Sequence, residues 1–167
     1  KACGVDSFTT PSFAAVYKSI FAEQLNNQKF SHITAWHSIE HVYELEKTIS
    51  RMYDLLDEKG VLIVGVPNYL SFDARYYKNF WAAYDVPRHL WHFDKKSLKE
   101  VFENKGFKLV KSSPMVLDAY YVSLLSESYK KSTFKVLKSL FVGTISNTLA
   151  LFTKEYSSNI FVFKKLR

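Results

Sequence analysis

Residues 30–68 read FSHITAWHSIEHVYELEKTISRMYDLLDEKGVLIVGVPN. The first seven are mostly apolar or aromatic and fit a buried strand. His37, Glu40 and His41 follow in a short polar turn. Over 42–58, Leu45, Ile49, Met52, Tyr53 and Leu56 recur at helical spacing, which predicts a helix. Gly60 stands where a left-handed residue would end it. Residues 61–66 are an unbroken β-branched and aliphatic run, expected as a central strand covered on both faces, and Pro67-Asn68 stops it. Strand, polar turn, helix and strand make an α/β unit. Ligands of open α/β sheets bind at the carboxyl ends of the strands, which is where His37, Glu40 and His41 fall.

Working outward, residues 2–6 read as the end of a strand. Thr10-Pro11 opens an expected helix over 12–20, with proline at an allowed first-turn position. Residues 21–25 read as a short edge strand and 26–29 as a polar turn. Downstream, 69–94 is rich in aromatics and has little periodicity. Ser97 and Glu100 have capping-box spacing ahead of a short helix that turns Leu98, Val101 and Phe102 inward and ends at Gly106. A strand over 107–112 follows. Residues 117–152 are helical with a break near 131–133, and 159–165 alternate as a closing strand. The uncharged run 139–153 carries Gly143, Thr144, Ser146, Asn147 and Thr148, and falls short of the roughly 20 apolar residues a membrane span requires. Phe134, Leu137, Phe141, Ile145, Thr148 and Phe152 share one helical face, which either packs on the domain or lies at an interface.

A chain of 167 residues with 47% hydrophobic content is sized for one domain with a substantial core. The single cysteine, Cys3, excludes an internal disulfide and points to a reducing, cytoplasmic setting. The first residues lack the charged and apolar regions of a signal peptide. Net charge is +7, and its placement is uneven. Residues 1–127 balance 15 basic against 15 acidic side chains, whereas 128–167 hold 8 basic residues and Glu155 alone. Such a basic end is either a solvated helical face or a surface for anionic lipid or another polyanion.

The order strand, AWHSIEHV, helix, DEKGVLIVGVPN, aromatic loop and DVPRHLWHFDKKSLKEVFENKGFKLV resembles a class I S-adenosylmethionine-dependent methyltransferase. It is similar to the bacterial branch in which an EHV turn precedes a PRHL-x-HF segment. The resemblance implies a Rossmann-like α/β sheet, mostly parallel with an antiparallel final strand. It divides the chain into a core over 1–116, a helical insertion or lid over 117–156, and the final strand over 157–167. It implies that Asp6, after Gly4-Val5, holds the cofactor ribose, a task that suits an acceptor-only carboxylate. It places Phe21 and Ala22 beside the adenine, and Trp36 and His37 beside the methionine part. The family's glycine-rich loop has no counterpart here, since no Gly-x-Gly occurs and that loop would precede residue 1. The chain is therefore expected to be an N-terminally truncated domain, inactive alone.

The resemblance also assigns chemistry to the aromatic loop. His89 would act as base toward an acceptor hydroxyl, and Arg88 would hold an anionic group of the substrate. Arg88 pairing with Asp85, with the histidines packed among aromatics, is the plainer alternative. His92, between Trp91 and Phe93, is expected to be clamped by packing. His37, Glu40 and His41 have the H-x-x-E-H spacing of a class of zinc proteases, which a strand-to-helix turn disfavours. Ubiquinone-pathway O-methyltransferases resemble this turn more closely, and that makes His37, Glu40 and His41 a divalent-metal candidate; the plainer alternative is that Glu40 caps the helix and His41 packs beneath it. Two functions compete: methyl transfer from S-adenosylmethionine to a small-molecule or lipid-linked acceptor, and a degenerate fold that binds membrane or a partner. No nucleic-acid partner is expected, because Val66-Pro67-Asn68-Tyr69 is only a distant echo of the loop that serves base methylation.

Overall fold

The structure is a computed structural model that describes residues 3–5 and 15–166. Asp6 and the start of the expected 12–20 helix lie outside the described residues. Strands β1 (Cys3–Val5) and β2 (Ala15–Tyr17) pair in parallel. The 12–20 helix is thus replaced at its end by a strand, favoured by the β-branched and aromatic pair Val16-Tyr17 and by β1 alongside. The 21–25 strand is replaced by a turn and a 3-10 helix, Glu23–Leu25, that buries Leu25.

The main sheet has the order β3 (Phe30–Trp36), β4 (Leu56–Pro67), β6 (Ser158–Lys165), β5 (Phe107–Pro114). β3 and β4 are parallel, and β6 runs antiparallel to both β4 and β5. The expected mixed sheet is present, and β4 is internal, as its apolar run implies. Helices α1 (Leu45–Leu55) and α3 (Lys95–Glu103) cover one face. Leu62, Val64 and Val66 point into that core beside Ile49, Leu98, Phe102, Phe161 and Phe163. On the other face Val61 and Ile63 are only half-buried, so β4 is covered fully on one side and not on both. β3 is also less buried than expected: it stands at the end of the sheet, with Ser31, His32, Thr34 and Trp36 exposed.

Two boundaries move. α1 stops at Leu55 and the chain passes directly into β4, so Gly60 lies inside the strand and caps nothing. The ladder jumps from Phe30↔Leu56 to His32↔Val61, bulging residues 57–60 out of register. A Cβ at Gly60 would fall 2.7 Å from Leu56, which explains the glycine. α3 begins one turn early: Asp94 accepts from Ser97 N at 2.6 Å while Ser97 Oγ accepts from Asp94 N at 3.0 Å, a capping box on Asp94 and Ser97.

The aromatic segment is ordered by a short helix, α2 (Phe72–Tyr77), capped by Ser71. Against it packs a hairpin of α4 (Asp118–Tyr129) and α5 (Lys135–Thr153), broken where the sequence expects. Ala74, Tyr77, Trp81, Val122 and Val142 form this second core. At its centre Asp73, fully buried, accepts from Trp81 Nε1 at 2.8 Å, Ser146 Oγ at 2.7 Å and Ser157 Oγ at 2.7 Å. Asp73→Ala orphans three buried donors. It is expected to lower unfolding free energy by about 3–5 kcal/mol in denaturant titration, against about 1–2 kcal/mol for Ser146→Ala.

Candidate functional site

β3 and β4 end side by side, and the turn after β3 builds the site. A Cβ on Gly65 would lie 2.7 Å from the Trp36 ring, so the glycine lets the indole lie flat on β4. His37 N donates to Gly65 O at 2.9 Å, and His37 takes a left-handed φ of 42°. That reversal starts the 3-10 helix Ile39–His41, which drives Ile39 into the core and buries Glu40 to 1% exposure.

Neither oxygen of Glu40 has a hydrogen-bond partner among the described residues. His37 Nδ1 lies 3.5 Å and His89 Nε2 4.0 Å from Glu40 Oε1. Glu40 also holds the aromatic loop through its backbone, its carbonyl accepting from Leu90 N at 2.8 Å. That loop turns at Asp85, φ 38°, and delivers His89 with its side chain 9% exposed. His89 Nδ1 donates to Ala83 O at 2.8 Å, and His41 Nδ1 donates to Arg88 O at 3.0 Å. Both donations fix the tautomer and leave the two Nε2 lone pairs available. The rings of His41 and His89 meet edge-on at 4.5 Å. Burial holds the His89 pKa below its ordinary value, which keeps the imidazole neutral.

His37 behaves oppositely. Its Nε2 donates to Asp118 Oδ2 at 3.1 Å, at the first turn of α4. The hydrogen bond to Asp118, then the Glu40 carboxyl group close by, raises its pKa to about 9 against the desolvation that opposes it. The site thus holds a cationic and a neutral histidine on either side of one buried carboxyl group.

Of the residues singled out from sequence, His37, Glu40, His41 and His89 converge. Within the metal candidate, Glu40 and His41 are joined by His89, with ligand atoms all within 4.8 Å of one another, while His37 turns to Asp118. Arg88 is 73% exposed and paired with Asp85, Nη2 to Oδ1 at 2.7 Å, as its plainer reading holds. His92 is exposed rather than clamped, and Nε2 donates to Tyr84 O at 3.0 Å. Asp118 was missed. It lies 81 residues from His37 in sequence, and only the return of α4 over the turn joins them.

A second feature is a groove of about 740 Å³ between β1 and the open edge of β3, lined by Val5, Phe21, Thr34, Ala35, Ser38 and Ile39 among others. Phe21 is half-exposed there, whereas Ala22, Trp36 and His37 do not line it. Its volume suits a small organic ligand.

Residues 1–112 match the family described as methyltransferase domain, and the chain belongs to it. Solved structures agree on the fold. The crystal structure of the cyclase SpnF superposes with a TM-score of 0.58 at 12% identity, over 92% of this chain and 56% of that one. The 1,6-didemethyltoxoflavin-N1-methyltransferase of Burkholderia thailandensis gives 0.58 at 12%, over 99% and 61%. The cyclopropane synthase MmaA2 of Mycobacterium tuberculosis gives 0.57 at 14%, over 98% and 69%. The chain thus spans just over half the length of SpnF. A comparison with curated proteins found no match.

His37 gains a partner on folding, so its raised pKa stabilises the fold fully below pH 6.5, and that stability is lost as pH rises through about 9. Nuclear magnetic resonance titration of the His37 ring should give a midpoint near 9 in wild type and a clearly lower one in Asp118→Asn. Wild type should also lose more thermal stability than the variant between pH 7 and 10.

Proposed function

We propose that the protein carrying this chain transfers a methyl group from S-adenosylmethionine to a small-molecule or lipid-linked acceptor, in the cytoplasm. The observation that carries the reading is a neutral, oriented His89 and a cationic His37 facing one buried carboxyl group at the strand ends, within a chain of the methyltransferase-domain family. The bound 1,6-didemethyltoxoflavin and S-adenosylhomocysteine named for the Burkholderia thailandensis enzyme support a cofactor and a small acceptor on this fold. The same fold occurs in a protein named a cyclase, so the chemistry follows from the site and not from the fold.

The groove beside β3 fits an adenosyl group. Val5, Ala35 and Ile39 offer apolar walls, Phe21 an aromatic one, and Ser38 a hydroxyl. Asp6 follows Val5 directly and would meet the ribose hydroxyls. None of the five glycines forms a Gly-x-Gly, so a close backbone cradle for the amino-acid end of the cofactor must come from a further segment. The 167 residues alone would then bind weakly and turn over nothing. Residues 117–156 form the lid in this reading, fastened to the site by Asp118 and His37.

When bound, S-adenosylmethionine supplies an electrophilic methyl on a sulfonium. His89 Nε2 takes the proton of the acceptor hydroxyl, while Nδ1 stays tied to Ala83 O and holds the ring in place. Glu40, 4.0 Å away, stabilises the imidazolium that results. Arg88, at the exposed rim, meets an anionic group of the acceptor by exchanging Asp85 for it. A second reading rests on the cluster of Glu40, His41 and His89, whose unpartnered carboxyl and free Nε2 atoms also suit a divalent cation.

Titration of the chain with S-adenosylhomocysteine should shift the amide resonances of Val5, Phe21, Ser38 and Ile39 even at weak affinity. Unshifted resonances at millimolar ligand would remove the groove from the cofactor site. In the protein carrying the complete cofactor site, His89→Ala should lower turnover about 10²–10⁴-fold, while His92→Ala leaves it near wild type. Manganese or zinc should raise the melting temperature of wild type and not of Glu40→Gln if the second reading holds.

A further inference from the structure

The α4–α5 hairpin is packed inside out. The face of α5 that meets α4 and α2 is made of small residues: Ser139, Gly143, Ser146 and Ala150 are all buried, with Val142. Gly143 permits the closest approach, since a Cβ there would sit 2.6 Å from the Tyr120 ring and 3.1 Å from its Cα. The large side chains point the other way. Leu137 and Phe141 are each 68% exposed, Leu151 57%, Phe152 82%, and Phe134, ahead of the helix, 64%. The face shared by Phe134, Leu137, Phe141 and Phe152 therefore turns away from the domain. Small residues inside and large apolar ones outside is the arrangement of helices whose outer surroundings are not water.

Charge says what those surroundings are. Between residues 119 and 154 the chain carries Lys130, Lys131, Lys135, Lys138 and Lys154, all exposed, against one acid, Glu127. Glu127 is 1% exposed and contributes nothing to the surface. The hairpin thus presents an apolar helical face flanked by cations with no exposed carboxylate among them. We propose that this face docks on an anionic lipid bilayer, with α5 lying in the interface plane and the lysines meeting the headgroups.

The helix lies on the surface and does not cross. Its 19 residues, about 28 Å long, suffice for a span by length and composition, more than the uncharged run alone allowed. Yet Ser146 is bonded to the buried Asp73, and withdrawing α5 would break that core. The docking face is the outer face of the hairpin, opposite its packing on the domain and separate from the contact of Asp118 with His37.

Co-sedimentation of the chain with phosphatidylcholine vesicles, alone and with one third phosphatidylglycerol, tests it at physiological salt. Binding at least tenfold stronger to the anionic vesicles is expected, with release by 1 M salt. Phe141→Asp and Phe152→Asp should abolish binding, and the double variant Lys131→Glu, Lys135→Glu should reduce it to the neutral-vesicle level. These side chains are exposed, and unchanged circular dichroism and melting temperature confirm that each variant keeps its fold. Equal binding to both vesicles, binding to neither, or retention after the salt wash overturns the proposal. So does a dimer in sedimentation velocity that Phe141→Asp dissociates while vesicles leave wild type unbound, since the face would then belong to a second copy.

Discussion

Asp73 is a carboxylate without solvent, and it ties its own aromatic segment to two C-terminal stretches, 73 and 84 residues away. Trp81 reaches it from the aromatic segment, Ser146 from α5, and Ser157 from the residues that lead into β6. A buried charge must be met by donors, and few arrangements of these segments meet it. The position of the hairpin, the course of the aromatic loop and the entry of the last strand are fixed together. Asn68, at the end of β4, adds to the same junction by donating to Glu155 Oε2 at 2.7 Å and Tyr156 O at 3.1 Å.

Anchoring the hairpin there has two consequences of opposite kind. Inward, α4 starts directly over the turn after β3, so Asp118 meets His37 and the hairpin is joined to the site by an ion pair. Outward, the serines and glycine that pack against the domain leave α5 with its bulky face uncovered. The same helix pair therefore couples the candidate site to the surface of the molecule.

The chemistry of the site follows from unequal environments around similar groups. His37 and His89 have the same intrinsic acidity, yet Asp118 and Glu40 hold one proton tightly while burial drives the other away. Left-handed backbone at His37 and Asp85 is what aims both elements at Glu40. Strained turns of this kind persist only where the surrounding packing determines them, here Trp36 on Gly65 and Leu90 N on Glu40 O.

The α/β unit, the interior position of β4, the closing strand and the break in the C-terminal helices were legible in the sequence, because each rests on local periodicity or an unbroken apolar run. The convergence of His37, Glu40 and His41 was legible for the same reason: five residues on one turn cannot lie far apart. Gly60 misled because a glycine after an apolar helix looks the same whether it caps the helix or relieves a bulge, and the choice lies with Leu56 and the neighbouring strand. Residues 15–17 misled because their pairing with β1 is not local. Only the tertiary structure brought His89 to Glu40 and Asp118 to His37, and only it decided which face of α5 looks out. Periodicity reports that a helix has a large and a small face. Which one the domain keeps depends on the buried carboxylate of Asp73, whose partner Ser146 stands on the small face.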